Sequence, residues 1–217
     1  MKKDYTHIAV ILDRTGSMQS IRADTIGGFN AFLTEQKDQP GFATLTLVQF
    51  DSQDPYEVIH KFRAIKEVPD LTHETYVPRA TTPLLDAMGR GINDLEESIT
   101  QLEEDQRPER VVMVVITDGQ ENASREFKKD MVQKMIKQKQ EKNDWQFVFL
   151  SADLEAIQDA IETGVRMQSA MAFDKDAQGT AAVWESASAR ISDYRAARSK
   201  DVSFKDEDRK KQDSEKK

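Results

Sequence analysis

The sequence predicts an α/β fold: a doubly wound, mostly parallel sheet with one antiparallel edge strand and helices on both faces, a Rossmann-like arrangement. Two continuous apolar runs, residues 8–12 (IAVIL) and 111–116 (VVMVVI), read as central parallel strands, because burial on both faces removes the polar alternation of a half-exposed strand. Segments of helical periodicity alternate with the strand-like runs, the order that builds a covered parallel sheet. Each of the two apolar runs leads into an aspartate, Asp13 and Asp118.

Taken in order, the 8–12 strand is followed by a helix over 20–37, with Ile21, Ile26, Phe29, Phe32 and Leu33 on one face. Gly27 and Gly28 weaken it, each by about 1 kcal/mol against alanine, and close packing against the sheet is the expected reason. Residues 42–50 (FATLTLVQF) form a strand and 51–55 a turn. Residues 56–65 alternate apolar and polar, as an antiparallel edge strand does. The clearest helix covers 84–104, with Pro83 suited to its first turn and Thr82 to its N-cap. A second central strand at 111–117 follows. Next come a helix over 126–142 (Phe127, Met131, Met135 and Ile136 inward), a strand over 145–150 and a helix over 153–163 capped by Gly164. A weaker edge strand spans 165–173. The last helix, 176–198, carries Ala177, Ala181, Trp184, Ala187, Ile191 and Tyr194 on one face.

Beyond it the composition changes. Of the 19 residues 199–217, 13 are charged and only Val202 and Phe204 are hydrophobic, so the segment reads as a frayed or disordered tail. The expected division is one domain over 1–198 and a tail over 199–217.

A formal net charge of −8 argues against a nucleic-acid backbone as the main partner. The absence of cysteine removes disulfides, thiolate metal sites and cysteine nucleophiles together. No segment is long enough to span a bilayer, and the first apolar run is too short for a signal-peptide core, so a cytoplasmic address and a monomer are the default expectations. His7, His60 and His73 lack metal-ligand spacing and read as ordinary polar positions.

In an open α/β sheet, ligands bind beyond the carboxyl ends of the strands. If the 8–12 and 111–117 strands are central neighbours, Asp13, Thr15, Ser17 and Asp118 share that edge, and Thr82 joins them if its loop returns there. The set is two carboxylates and three hydroxyls, an oxygen-only chemistry suited to a hard divalent cation. Singly, each piece has a plainer reading: the hydroxyls as N-caps, Asp118-Gly119 as a turn. Their conjunction points to a metal.

Three segments in order, 10–18 (VILDRTGSM), 81–87 (TTPLLDA) and 114–120 (VVITDGQ), resemble the signatures of von Willebrand factor type A domains, over roughly residues 5–175. In that family they form the metal-ion-dependent adhesion site. The resemblance implies Mg²⁺ (or Mn²⁺) held by Thr15 and Ser17, with Thr82 joining when a ligand is engaged. Asp13 and Asp118 would act directly or through water, and a glutamate or aspartate of a partner protein would complete the coordination. Two positions depart from the pattern: Thr15, where serine is usual, and Thr81, where many relatives have glycine. The chain looks like the stand-alone members of bacteria and phages.

The expected function is therefore a non-enzymatic, metal-dependent protein-binding module, with Arg14, Gln120, Glu121 and Asn122 on the rim that meets the partner. A Mg²⁺-dependent phosphohydrolase is the alternative. Against it, haloacid-dehalogenase-like phosphatases need a second aspartate two residues after the nucleophile, where this chain has Thr15, and no general base is evident near the motifs. A third possibility is a metal-free interaction domain.

Overall fold

The apolar runs do form the centre of a sheet. In the computed structural model, which describes residues 1–213, the strands are β1 (Lys2–Asp13), β2 (Phe42–Phe50), β3 (Glu57–Ala64), β4 (Pro108–Thr117), β5 (Gln146–Ser151) and β6 (Ala170–Ala172). They lie in the order β3-β2-β1-β4-β5-β6, and every neighbouring pair is parallel except β2 with β3. The helices are α1 (Arg22–Asp38), α2 (Leu84–Gln101), α3 (Lys129–Asn143), α4 (Leu154–Glu162), α5 (Ala177–Arg195) and α6 (Asp206–Asp213).

Alternate residues of each central strand serve opposite faces, and both faces are apolar. Ile8, Val10, Leu12, Val112, Val114 and Ile116 pack with Phe29 and Phe32 of α1 and Trp184 of α5. Ala9, Ile11, Val111, Met113 and Val115 meet Met88 and Ile92 of α2, Val132 and Ile136 of α3 and Ala156 of α4. Helices on both faces explain why the runs lack alternation.

The register decides what meets at the sheet's carboxyl edge. Leu12 pairs with Ile116 and Asp13 with Phe50, so β1 and β4 end side by side. From there the chain leaves β1 toward α1 on one face and β4 toward α3 on the other. That divergence opens a crevice at the switch point of an α/β sheet.

Several expectations are corrected. Gly28 packs against a helix, not the sheet: a Cβ there would overlap the indole of Trp184, whereas one on Gly27 meets nothing. Met131 is exposed, and Val132, Ile136 and Lys139 line the buried side of α3. The edge strand expected over 165–173 shrinks to the three residues of β6.

The charged segment after 198 is not frayed over the described residues. Val202 and Phe204 insert into the core on the α1/α5 face, and the Phe204 N–H donates to the Gln168 carbonyl at 2.7 Å. α6 follows, its buried Asp208 ion-paired with Arg190 at 3.2 Å. Val202 and Phe204 anchor the segment, Asp208 is buried against its arginine partner, and most of the other charged side chains are exposed. The rest of the expected tail, 214–217, lies outside the described residues.

Two measurements of stability follow from this packing. Gly27→Ala should stabilise by up to about 1 kcal/mol, the helix-propensity gain. Gly28→Ala should destabilise by about 1–3 kcal/mol through overpacking against Trp184. Equal urea midpoints for the two variants would contradict the helix contact.

His7 is fully buried, stacked on Phe62 at 3.8 Å, and its Nδ1 shares a 2.8 Å hydrogen bond with the Thr44 hydroxyl. Burial lowers its pKa from 6.5 to about 3. In this window the unfolded chain takes up the proton first, so the histidine's contribution to stability is present above pH 6.5 and lost as pH falls toward 3. The loss approaches about 1.4 kcal/mol per pH unit. His7→Phe should flatten the acid side of the pH–stability curve. Curves for the two proteins that stay parallel from pH 7 to pH 4 would refute this.

Candidate metal centre

The last residue of β1 is Asp13, whose side chain is fully buried at the mouth of the crevice. Its two oxygens are separately engaged. Oδ1 accepts the Thr15 N–H at 2.7 Å, and Oδ2 accepts the Thr117 hydroxyl at 2.5 Å across the β1–β4 junction. Burial pushes the Asp13 pKa up to about 7 against the opposing pull of those hydrogen bonds, and the neighbouring Asp118 charge adds to the rise.

The bond from Thr15 N–H turns the chain out of β1 into a 3₁₀ turn, Gly16–Ile21, anchored by the buried Met18 and Ile21. Thr15 stands at the N-cap of that turn, yet its side chain caps nothing. Instead its hydroxyl lies 3.1 Å from the Ser17 hydroxyl, and Ser17 Oγ donates to Asp118 Oδ1 at 2.6 Å. Asp13, Thr15, Ser17 and Asp118 are thus drawn into one cluster across the two central strands.

The loop that carries Thr82 is fastened along the same edge. The loop before α2 is laid along the 14–16 segment by Arg79 N–H to the Arg14 carbonyl (2.9 Å) and Gly16 N–H to the Ala80 carbonyl (3.0 Å). Asn122 then clips it from the other side: Thr82 N–H donates to Asn122 Oδ1 at 2.9 Å, and Asn122 N–H to the Thr82 carbonyl at 3.0 Å. Thr82 is buried and Thr81 exposed. Pro83 takes the N-cap position of α2, and no side chain caps it. The Thr82 hydroxyl, expected to serve as a cap, makes no hydrogen bond to the described residues.

These observations test whether the residues suit a cation. The donor set is oxygen only, and its hydroxyls do none of the capping that would otherwise explain them. Asp118 Oδ2 is buried and paired with the Lys175 ammonium at 2.6 Å, so this oxygen already stands where a cation is held. The set fits a hard divalent cation. Among the described residues no three His, Cys, Asp or Glu side chains cluster as metal ligands, so the hydroxyls are essential to the fit.

Two of the four residues expected on the partner-facing rim, Arg14 and Glu121, have structural partners instead. Arg14 turns inward and is buried. Its guanidinium donates to Asp51 Oδ2 at 2.7 and 3.0 Å and also pairs with Glu57 and Gln49. Asp51, itself buried, also receives Arg79 at 2.9 Å. Burial raises the Asp51 pKa, but hydrogen bonds from Arg79, Gln53, Asp54 and Arg14 outweigh it and hold the carboxyl below its ordinary value. A guanidinium beside a buried carboxylate is pulled in by the cost of leaving that charge unpaired.

Glu121 is also structural. Its carboxylate accepts the backbone N–H of Leu85 (2.8 Å), Ala123 (2.9 Å) and Ser124 (2.7 Å). Asn122 is exposed while clipping Thr82, and Gln120 is exposed, its amide bonded to Asp153 and Glu155.

Three supporting residues escape sequence reasoning. Tyr76, fully buried in the loop between Pro69 and Pro78, donates its hydroxyl to the Asp13 carbonyl at 2.6 Å. Burial first, then the Asp13 and Asp118 charges, raises its pKa well above the ordinary value and keeps it a donor. Asp86 accepts the N–H groups of Arg125, Glu126 and Phe127 at 2.8–2.9 Å, fastening the β4–α3 loop to α2. Lys175 is the third. The only prior signal was the aspartate in the 81–87 segment; tyrosine and lysine in loops carry none.

The sequence matches no protein-family model and no curated protein. Solved structures share its fold at low identity. The pilus adhesin SpaC of Lactobacillus rhamnosus GG in its open conformation is 12% identical, with a TM-score of 0.65 over 88% of this chain and 30% of that one. Proximal thread matrix protein 1 of the mussel byssus, with a zinc-occupied MIDAS motif, is 13% identical, with a TM-score of 0.56 over 87% of this chain and 46% of that one. A von Willebrand factor type A protein of Catenulispora acidiphila is 12% identical, with a TM-score of 0.54 over 86% and 42%. The chain spans less than half the length of each. With its six-stranded sheet, single antiparallel edge and flanking helices, the chain has the von Willebrand factor type A fold.

Proposed function

We propose that the chain is a divalent-metal-dependent protein-binding module whose ion, Mg²⁺ or Mn²⁺, sits among Asp13, Thr15, Ser17, Thr82 and Asp118 and coordinates an acidic residue of a partner. The observation that carries this reading is the hydrogen-bonded cluster of Asp13, Thr15, Ser17 and Asp118 at the β1–β4 junction, with the loop that carries Thr82 fastened along the same edge. Two carboxylates balance the charge of a divalent ion, and the hydroxyls add oxygen without adding charge. Such an ion keeps its affinity for an outside anion, which a cage of four or five carboxylates would quench. The resemblance to a pilus adhesin and to a protein with a zinc-occupied MIDAS motif supports a binding role of this kind.

The chain's residues act here by holding and aiming. Tyr76 and the Thr15 N–H fix Asp13, Ser17 bridges to Asp118, and the Asn122 clip sets the depth of Thr82. When bound, the ion supplies a Lewis-acidic point for a carboxylate. Gln120 and Asn122 stand exposed beside it and are proposed as contacts for the partner.

Thermal unfolding with increasing MnCl₂ or MgCl₂ tests the metal half. At a hundred times the dissociation constant the stabilisation should reach about 2.7 kcal/mol, shifting the melting point of a chain this size by roughly 5–10 °C. Asp13→Ala should abolish the shift whatever it does to the starting melting point. Capture of a carboxylate-bearing partner should be lost in EDTA and restored by Mn²⁺. An unchanged melting point for the native chain at millimolar Mn²⁺ would defeat the reading.

A further inference from the structure

Lys175 lies in the loop between β6 and α5, outside all three segments that mark the site, yet its ammonium is 2.6 Å from Asp118 Oδ2. The Asp118 side chain is fully buried, while that of Lys175 is 37% exposed, so the cation reaches inward from solvent to a carboxylate that cannot leave. Asp118 cannot face water, and its other oxygen is committed to Ser17. Without a charge on the Oδ2 side it would be a buried, half-satisfied anion next to a second buried carboxylate, Asp13.

The backbone around Lys175 is tied down. Phe173 N–H donates to the Ser151 carbonyl at 3.0 Å, Asp174 N–H to Gln212 Oε1 of α6 at 3.2 Å, and Asp176 N–H to the Asp174 carbonyl at 2.8 Å. Asp176 in turn caps α5, accepting the Gly179 N–H at 2.7 Å. Any departure of the ammonium from Asp118 is therefore a swing of the flexible four-carbon stem toward solvent, and the loop need not move.

We propose that Lys175 is a tethered counter-ion that competes with the metal for Asp118. An ammonium and a divalent ion cannot share this carboxylate oxygen without like-charge repulsion at close range, so the ion enters only as Lys175 leaves. The lysine neutralises the ion-free site, which keeps the crevice folded, and it raises the metal concentration at which the site fills. The inference rests on the metal-binding reading above.

Calorimetric titration of the full chain with MnCl₂, together with thermal unfolding with and without Mn²⁺, tests it on the native protein and on Lys175→Met, Lys175→Arg and Asp13→Ala. Lys175→Met keeps the stem and removes the charge. It should bind Mn²⁺ about three- to tenfold more tightly, in line with the modest strength of a part-exposed ion pair. It should also melt lower than the native chain without metal and close that gap at saturating Mn²⁺. Lys175→Arg should stay near native affinity. If the native chain binds Mn²⁺, Asp13→Ala does not, and Lys175→Met binds no more tightly than native, the competition is overturned and the metal site stands. If the native chain takes up no Mn²⁺, both fall together.

Discussion

Two carboxylates held out of water at the end of a sheet need donors, and the loops of this protein are arranged by that need. Asp13 and Asp118 end the two central parallel strands, where the register leaves them no choice of place. A buried carboxylate without partners would be neutralised or would unfold its surroundings. The chain supplies Thr117 and the Thr15 N–H to one, Ser17 and Lys175 to the other. Each donor fixes a segment: Thr117 locks β4 to β1, Thr15 starts the 3₁₀ turn, and Ser17 spans the crevice.

A second tier of acids, Asp51 and Asp86 buried and Glu121 half-buried, holds the loops that carry these donors. Asp86 and Glu121 each accept three backbone N–H groups and so fold the β4–α3 loop over the start of α2. Asp51 gathers Arg14 and Arg79, which brings the loop before α2 against the residues after Asp13. Hydrogen bonds to charged groups are worth more than neutral ones, and here they stand in for regular secondary structure in loops that have none.

The apolar body of the fold matters to the site through spacing. Alternate residues of β1 and β4 fill two separate cores, one with α1 and α5, the other with α2, α3 and α4. A one-residue slip between the strands would exchange the two faces and part the Asp13–Thr117 pair. The segment after α5 adds to the first core through Val202 and Phe204, so a stretch of charged sequence closes one side of the molecule.

Sequence by itself determined the central strands and the doubly wound order, and it set Asp13 and Asp118 at one edge of the sheet. Continuous β-branched runs have one stable location in a soluble domain, and polar residues at their carboxyl ends must lie at the sheet's edge. It misjudged what depends on side-chain direction and long-range partners. Arg14 sits between two candidate metal ligands and looks like a rim residue; only the fold shows Asp51, 37 positions away, drawing it inside. The segment after residue 198 reads as solvated by composition, because composition averages over faces and two anchoring residues vanish in the mean. Tyr76, Asp86 and Lys175 act across 39 to 63 residues of chain, through contacts that local periodicity cannot encode. Lys175 and Asp118 lie 57 positions apart, and tertiary structure alone decided that they meet.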